Sequence, residues 1–245
     1  MPESNHGEIV FNGTSSLSFG LALIQTGRKL GLPAKNIVTV KVPGRDGVVN
    51  LTPYIGQSFN ERDLTYDLVV VDPSKWGHDR EYVTWQRVCA WLMEPMGKQI
   101  LYDNFQTDYY YLGEVQNAPD ISQIETGNKL SVTFTCQPFR IAKRTEGDDI
   151  WDTFNLESDI AQFVKFDVQK QPHAELVNTS AHQVLPKIIV SDHTTITING
   201  ASVNFDKGNH DQEFSIEQVI LNRGVNQLDF KGSGTVTFKW HKEVI

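Results

Sequence analysis

Cysteine is nearly absent from this chain, which carries two in 245 residues, Cys89 and Cys136. Two distant thiols without CxxC spacing make neither a disulfide framework nor a zinc site, so a reducing compartment is the natural setting. Each lies in an apolar pattern, helical for Cys89 and strand-like for Cys136, where cysteine acts as a small hydrophobe. Long hydrophobic runs are lacking too. None approaches the roughly 20 apolar residues that span a bilayer, so membrane insertion is not expected. Met1-Pro2-Glu3-Ser4-Asn5-His6 has no basic region leading into an apolar core, and no secretory leader is expected. Positive charge is in deficit: 22 Lys and Arg stand against 30 Asp and Glu, a net charge of −8. Neutralising phosphates needs the opposite balance, which argues against sequence-specific nucleic-acid binding. The motifs GxSxG, HExxH, GxxxxGKS/T and GxGxxG are also missing.

Short β patterns broken by turn residues are what the chain has instead. Up to Cys136 they fall at Leu21–Ile24, Ile37–Val42, Leu64–Val71, Gln99–Tyr102, Tyr109–Val115 and Lys129–Cys136. The last alternates cleanly, with Leu130, Val132, Phe134 and Cys136 on one face, as a half-buried strand requires. Val42-Pro43-Gly44-Arg45-Asp46-Gly47 predicts a hairpin, since Pro43 presets φ and Asp46-Gly47 is a turn dipeptide between apolar runs. Turn chemistry does not account for Arg45, whose planar guanidinium suits a carboxylate or backbone partner. One helix is expected over about 79–94, capped by Asp79, with a stripe of Tyr82, Trp85, Cys89 and Leu92, widened by Val88 and Met93, and a stop at Pro95 and Gly97. Trp91 falls off that stripe.

Residues 143–172 are polar and irregular and read as a connector, in which Trp151 and Phe154 would anchor on a neighbouring surface. The domains are accordingly 1–142 and 143–245. Beyond the connector, strands are expected at Val184–Val190, Thr194–Ile198, Ala201–Phe205, Glu213–Leu221, Asn226–Phe230 and Thr235–Trp240, with Asn199-Gly200 as a hairpin turn. The fold class is mainly β: a sandwich or barrel-like first domain with one α-helix and a β-hairpin, then a small antiparallel sandwich.

Candidate chemistry is thin. Asp192-His193 and His210-Asp211 sit in turns, where exposed polar residues are ordinary, and no His pair has ligand spacing, so neither metal nor cofactor is expected. A glycosidase would need two converging carboxylates. Asp148-Asp149, Glu157 with Asp159, and Asp103 with Asp108 are the pairs available. Sugar stacking would need displayed aromatics, yet Phe238 and Trp240 share one strand face and are expected inside. Tyr102-Asp103-Asn104-Phe105-Gln106-Thr107-Asp108-Tyr109-Tyr110-Tyr111 reads as a hairpin. Tyr109 and Tyr111 would share one face, and the tip would form a subunit contact because tyrosine is favoured at interfaces.

Four segments in order resemble one family. Phe11-Asn12-Gly13-Thr14-Ser15-Ser16-Leu17-Ser18-Phe19-Gly20-Leu21 looks like the opening of siphophage distal tail (Dit) proteins. The Val42–Gly47 hairpin, Glu61-Arg62-Asp63-Leu64-Thr65-Tyr66-Asp67-Leu68 and Gln137-Pro138-Phe139 follow in that family's order. Leu221-Asn222-Arg223-Gly224-Val225-Asn226-Gln227-Leu228 is similar to a segment near the end of its galectin-like domain. The resemblance implies a non-enzymatic virion protein, assembled in the host bacterial cytoplasm and placed at the tail tip. It would form a homohexameric ring around the DNA channel, with galectin-like second domains outside. Implied partners are further copies of the chain, the tail tube protein, the tail-associated hub or lysin protein, and receptor-binding or baseplate proteins. Arg45, Asp46 and Arg62 become candidate interface residues, joined by Tyr109, Tyr110 and Tyr111. The alternative reading is a non-catalytic carbohydrate-binding adhesin module.

Overall fold

The computed structural model describes residues 7–77, 80–117, 119, 128–147, 160–213 and 215–245. The chain divides into two compact units, Met1–Arg140 with Ile245, and Ile141–Val244. Asp79, Asp148, Asp149, Trp151, Phe154, Glu157 and Asp159, all singled out above, lie outside the described residues.

The first unit begins with Ile9–Phe11 (β1) and Thr14–Ser15 (β2). Asn12 and Gly13 join them at φ 48° and 75°, left-handed values that an Asn-Gly pair accepts and a two-residue hairpin needs. After a 3-10 turn, Ser16–Phe19, come Leu21–Leu30 (β3), Lys35–Asn36 (β4), Thr39–Val40 (β5) and Val49–Asn50 (β6). Then follow the short helix Thr52–Ile55 (α1), Ser58–Phe59 (β7), Arg62–Val70 (β8), the helix Glu81–Met93 (α2), Gln99–Asp103 (β9), Tyr109–Glu114 (β10) and Lys129–Cys136 (β11).

The main sheet of this unit runs β2-β1-β9-β10-β11-β8-β3. It curls until β3 meets the chain just ahead of β1, where the Leu23 N–H donates to the Gly7 carbonyl at 2.7 Å. A Cβ at Gly7 would lie 2.7 Å from that strand's Leu23 oxygen and 2.8 Å from the Phe105 ring, so the closure requires glycine. Barrel-like describes the result. Leu130, Val132, Phe134 and Cys136 of β11 are buried, and Leu68, Tyr66 and Leu64 of β8 stand opposite the first three.

Two expectations for this unit change. The chain has a second helix, α1, a single turn with Pro53 in its first turn. The α2 stripe is shifted: Val88 and Leu92 are buried as expected, but so are Thr84 and Trp91, which lie off the stripe, whereas Tyr82 is 69 % exposed. The helix is apolar on several sides, so spacing alone leaves two seams open. The larger ring settles it: Trp91 stacks on Phe19 at 4.9 Å, and its indole N–H donates to the Phe11 carbonyl at 3.0 Å.

The second unit contains Lys165–Asp167 (β13), His173–Asn178 (β14), Lys187–Val190 (β15), Thr194–Ile198 (β16), Ala201–Phe205 (β17), Gly208–His210 (β18), Gly224–Gly232 (β19), Thr235–Lys239 (β20) and His241–Val244 (β21). Arg140–Thr145 (β12) leads into it and pairs with β21. Two four-stranded sheets, β13-β20-β15-β18 and β14-β19-β16-β17, enclose a core in which Phe166, Phe230 and Phe238 meet at 5.6–6.2 Å. This is the expected small sandwich. Phe238 and Trp240 are inside it.

The stretch read as connector is more ordered than its polarity suggests, since β12 and β13 both fall within or overlap it. Glu213–Leu221 forms no strand among its described residues. Gln212 takes the place of a partner strand there: its side chain donates to the Pro186 oxygen at 2.6 Å and accepts from the Val219 N–H at 2.6 Å. Ile216 is left wholly exposed.

Candidate assembly surface

Between β3 and β8 the chain leaves the barrel as a ribbon. β4 pairs with β7 at its root, and β5 with β6 further out. The Val42–Gly47 motif forms the loop at its end, with Gly44 and Gly47 left-handed and the Arg45 N–H donating to the Val42 carbonyl at 3.2 Å. Polar bonds hold the ribbon along its length: Asn60 N–H to Ala34 O at 2.8 Å, Leu51 N–H to Val38 O at 2.8 Å, and Val38 N–H to Thr52 Oγ1 at 3.0 Å. Among the described residues no hydrophobic core cluster includes the ribbon's apolar side chains.

Leu32, Ile37, Val40, Val42, Val48, Tyr54 and Ile55 are between 41 and 84 % exposed. A two-stranded ribbon is marginally stable by itself. Seven large apolar side chains left exposed along one ribbon are more than scattered surface residues need, and point to a surface that a partner covers. Burying such side chains fully is worth about 1.5–3 kcal/mol each. Arg45 and Asp46 lie exposed at the loop, and among the described residues their side chains have no partner.

Arg62 is different. It is 5 % exposed, so it is not an available contact residue; its guanidinium works inside the unit. Nε donates to the Gly31 carbonyl at 2.6 Å and Nη1 to the Pro138 carbonyl at 3.3 Å, while the group sits 5.2 Å from the Tyr111 ring centroid. Gly31 begins the ribbon and Pro138 follows β11, so Arg62 fixes the ribbon's root to the barrel. Phe59 packs edge-on against Phe139 at the same place, at 5.6 Å. Beside it, Lys98 bridges Glu61 at 2.8 Å and Glu114 at 3.2 Å. Burial pulls the Lys98 ammonium down, but the two carboxylates outweigh it and raise it above the ordinary lysine range.

The tyrosine hairpin splits. Tyr111 is buried beneath Arg62, and Tyr109 is half-buried under the Arg140 guanidinium at 4.8 Å. Tyr110 is half-exposed on the opposite face. The structure thus gathers Arg62 and Tyr111 at the ribbon's root and carries Arg45 and Asp46 to its end. The apolar residues of the ribbon and helix α1 were missed because their runs look like ordinary strand interiors; only the absent packing partner distinguishes them.

The remaining candidate chemistry that falls on described residues is accounted for by structure. Asp103 is buried, held by Arg28 at 2.8 Å, and accepts the Phe105 and Gln106 N–H groups at 2.9 and 3.1 Å, as a turn anchor does. Burial pushes the Cys136 thiol up to about 12, far from a reactive thiolate. His193 pairs with Asp206 at 2.9 Å, and the His210 ring reaches the Asp206 carbonyl oxygen at 2.7 Å. Among the described residues no three His, Cys, Asp or Glu side chains are grouped to hold a metal ion. In the second unit Phe163 is the one exposed aromatic among the described residues. The Leu221–Leu228 segment is an exposed turn running into β19, pinned by the buried Asn226, which accepts from the Asn222 N–H at 2.8 Å and donates to the Asn222 and Gly224 oxygens at 2.7 and 2.9 Å.

A barrel with a projecting ribbon, joined to a galectin-like sandwich, is the class of molecule these units define. The SPP1 Dit protein, described as a paradigm of the hub adsorption apparatus in phages infecting Gram-positive hosts, has this fold. The two align with a TM-score of 0.64 at 12 % identity, over 98 % of this chain and 99 % of that one. A chain of the phage p2 baseplate in its activated conformation aligns with a TM-score of 0.48 at 8 % identity, over 97 % of each. No protein-family model and no curated protein matches the sequence.

Proposed function

We propose that this protein is a structural, non-catalytic hub of a phage tail tip, in which copies of the first unit close into a homohexameric ring. The observation that carries the reading is the ribbon between β3 and β8, with seven large apolar side chains exposed beside a barrel whose own core is complete. A surface of that kind is used by laying it on a neighbour, and repetition of one heterologous contact closes a ring. The full-length likeness to SPP1 Dit supports the tail-tip setting. In this reading the ring surrounds the DNA channel and joins the tail tube to the tail-associated hub and host-adsorption proteins. The acidic balance keeps passing DNA unbound.

Absolute mass by light scattering, followed across a concentration series, tests it. The ring predicts a mass near six times the 27.7 kDa monomer. It also predicts loss of assembly in a Tyr54→Glu, Ile55→Glu variant that keeps the wild-type circular dichroism. A chain that stays monomeric at every concentration and with purified tail tube protein added counts against the proposal.

A further inference from the structure

The chain is acidic, yet one sheet face of its second unit is basic. In β13, β20 and β15 the side chains of Phe166, Val236, Phe238, Ile188 and Val190 point into the core. Alternation puts Lys165, Thr237, Lys239, Lys187 and Ile189 on the opposite face. Register sets Lys187 directly opposite Lys239, and Lys165 opposite Thr237. The Phe238 N–H donates to the Val164 carbonyl at 2.9 Å, which continues the pairing and places Phe163 beside Lys239. Phe163 is 88 % exposed. From strand spacing and rise, the three lysine Cα atoms fall within about 12 Å of one another.

Like charges opposite each other across strands are destabilising. Among the described residues nothing offsets them: none of the three lysines has an ion-pair partner there, and the nearby Asp167 is held by Lys170 at 3.1 Å. A repulsive lysine pair beside an exposed phenyl ring is unsuited to a face that only meets water, and suited to one that meets complementary charge around an apolar anchor. We propose that this face docks a carboxylate-rich segment of a partner protein, carrying an apolar side chain for Phe163 and the half-buried Ile189. The aromatic ring favours a protein over an anionic polymer, which has no apolar group to place there. The inference uses the second unit alone and does not depend on ring formation.

The test is anisotropy of a short fluorescein-labelled peptide alternating glutamate with leucine, titrated with the full chain at low and high salt. Binding is expected to weaken about tenfold or more in a Lys165→Glu, Lys187→Glu, Lys239→Glu variant, and severalfold in Phe163→Ala. Lys231→Glu, on the outer face of the other sheet, should leave it unchanged. All five positions are solvent-facing, so folding is preserved, and circular dichroism checks it. No binding, or equal binding by the triple variant, overturns the proposal. Inorganic polyphosphate binding as tightly as the peptide, with Phe163→Ala indifferent to both, overturns it in favour of an anionic polymer.

Discussion

Arg62 shows how a side chain with the chemistry of a contact residue is turned to an internal task. Its two carbonyl partners and the Tyr111 ring are all within the first unit. Arg62→Ala should cost about 2–3 kcal/mol, since hydrogen bonds to a charged group are lost and two carbonyls are left without their donor. Urea unfolding measures the cost, and hydrogen exchange should show residues 31–60 opening faster than the barrel strands. His182 offers a titration check. Its hydrogen bond to Glu243, 2.7 Å, raises the imidazole above its ordinary value of 6.5, against the opposing effect of burial. A group raised in the folded state contributes stability fully below its unfolded value and loses it as pH rises through the folded value. The stability gap between wild type and His182→Gln should therefore be wider at pH 5.5 than at pH 8.5. Cys136, buried and pushed up to about 12, should resist thiol reagents in the native protein while the half-buried Cys89 reacts.

At the level of elements, spacing found the strands better than it oriented the helix. β11 alternates in sequence and in space because one side of it meets water and the other Leu64, Tyr66 and Leu68. The stripe read for α2 left Trp91 out, and Trp91 turns inward with a hydrogen bond to a carbonyl 80 residues away. Trp91→Phe should therefore cost about 1–3 kcal/mol by orphaning the Phe11 carbonyl and leaving space where the indole stood. Chemical denaturation of the full chain reads this directly. Glu213–Leu221 failed as a strand for a related reason: Phe214 and Ile216 alternate only as far as Glu217, and Gln212 satisfies the backbone of Val219 without a ladder. A side chain that imitates a neighbouring strand leaves no trace in periodicity.

For the molecule as a whole, each unit has a core of its own, around Phe11, Tyr66 and Phe134 in the first and Phe166, Phe230 and Phe238 in the second. Residues 141–244 expressed alone are expected to unfold cooperatively in calorimetry, as a domain with a complete core does. A broad, non-cooperative transition would show that this core is insufficient.

The mainly β class, the Asn-Gly turns and the hairpin at Val42–Gly47 were legible from the amino acids, because turn chemistry and alternation are local properties. Which apolar residues end up uncovered was not. Ile37, Val48 and Tyr54 read no differently from Leu64 or Val132; their exposure follows from the ribbon leaving the barrel with no described residues covering them. Arg45 and Arg62 were equivalent as charges, and only folding separated them, because one lies at a loop end and the other within reach of two carbonyls. The lysine face likewise exists only through register: positions 165, 187 and 239 are far apart along the chain and become neighbours when antiparallel strands align.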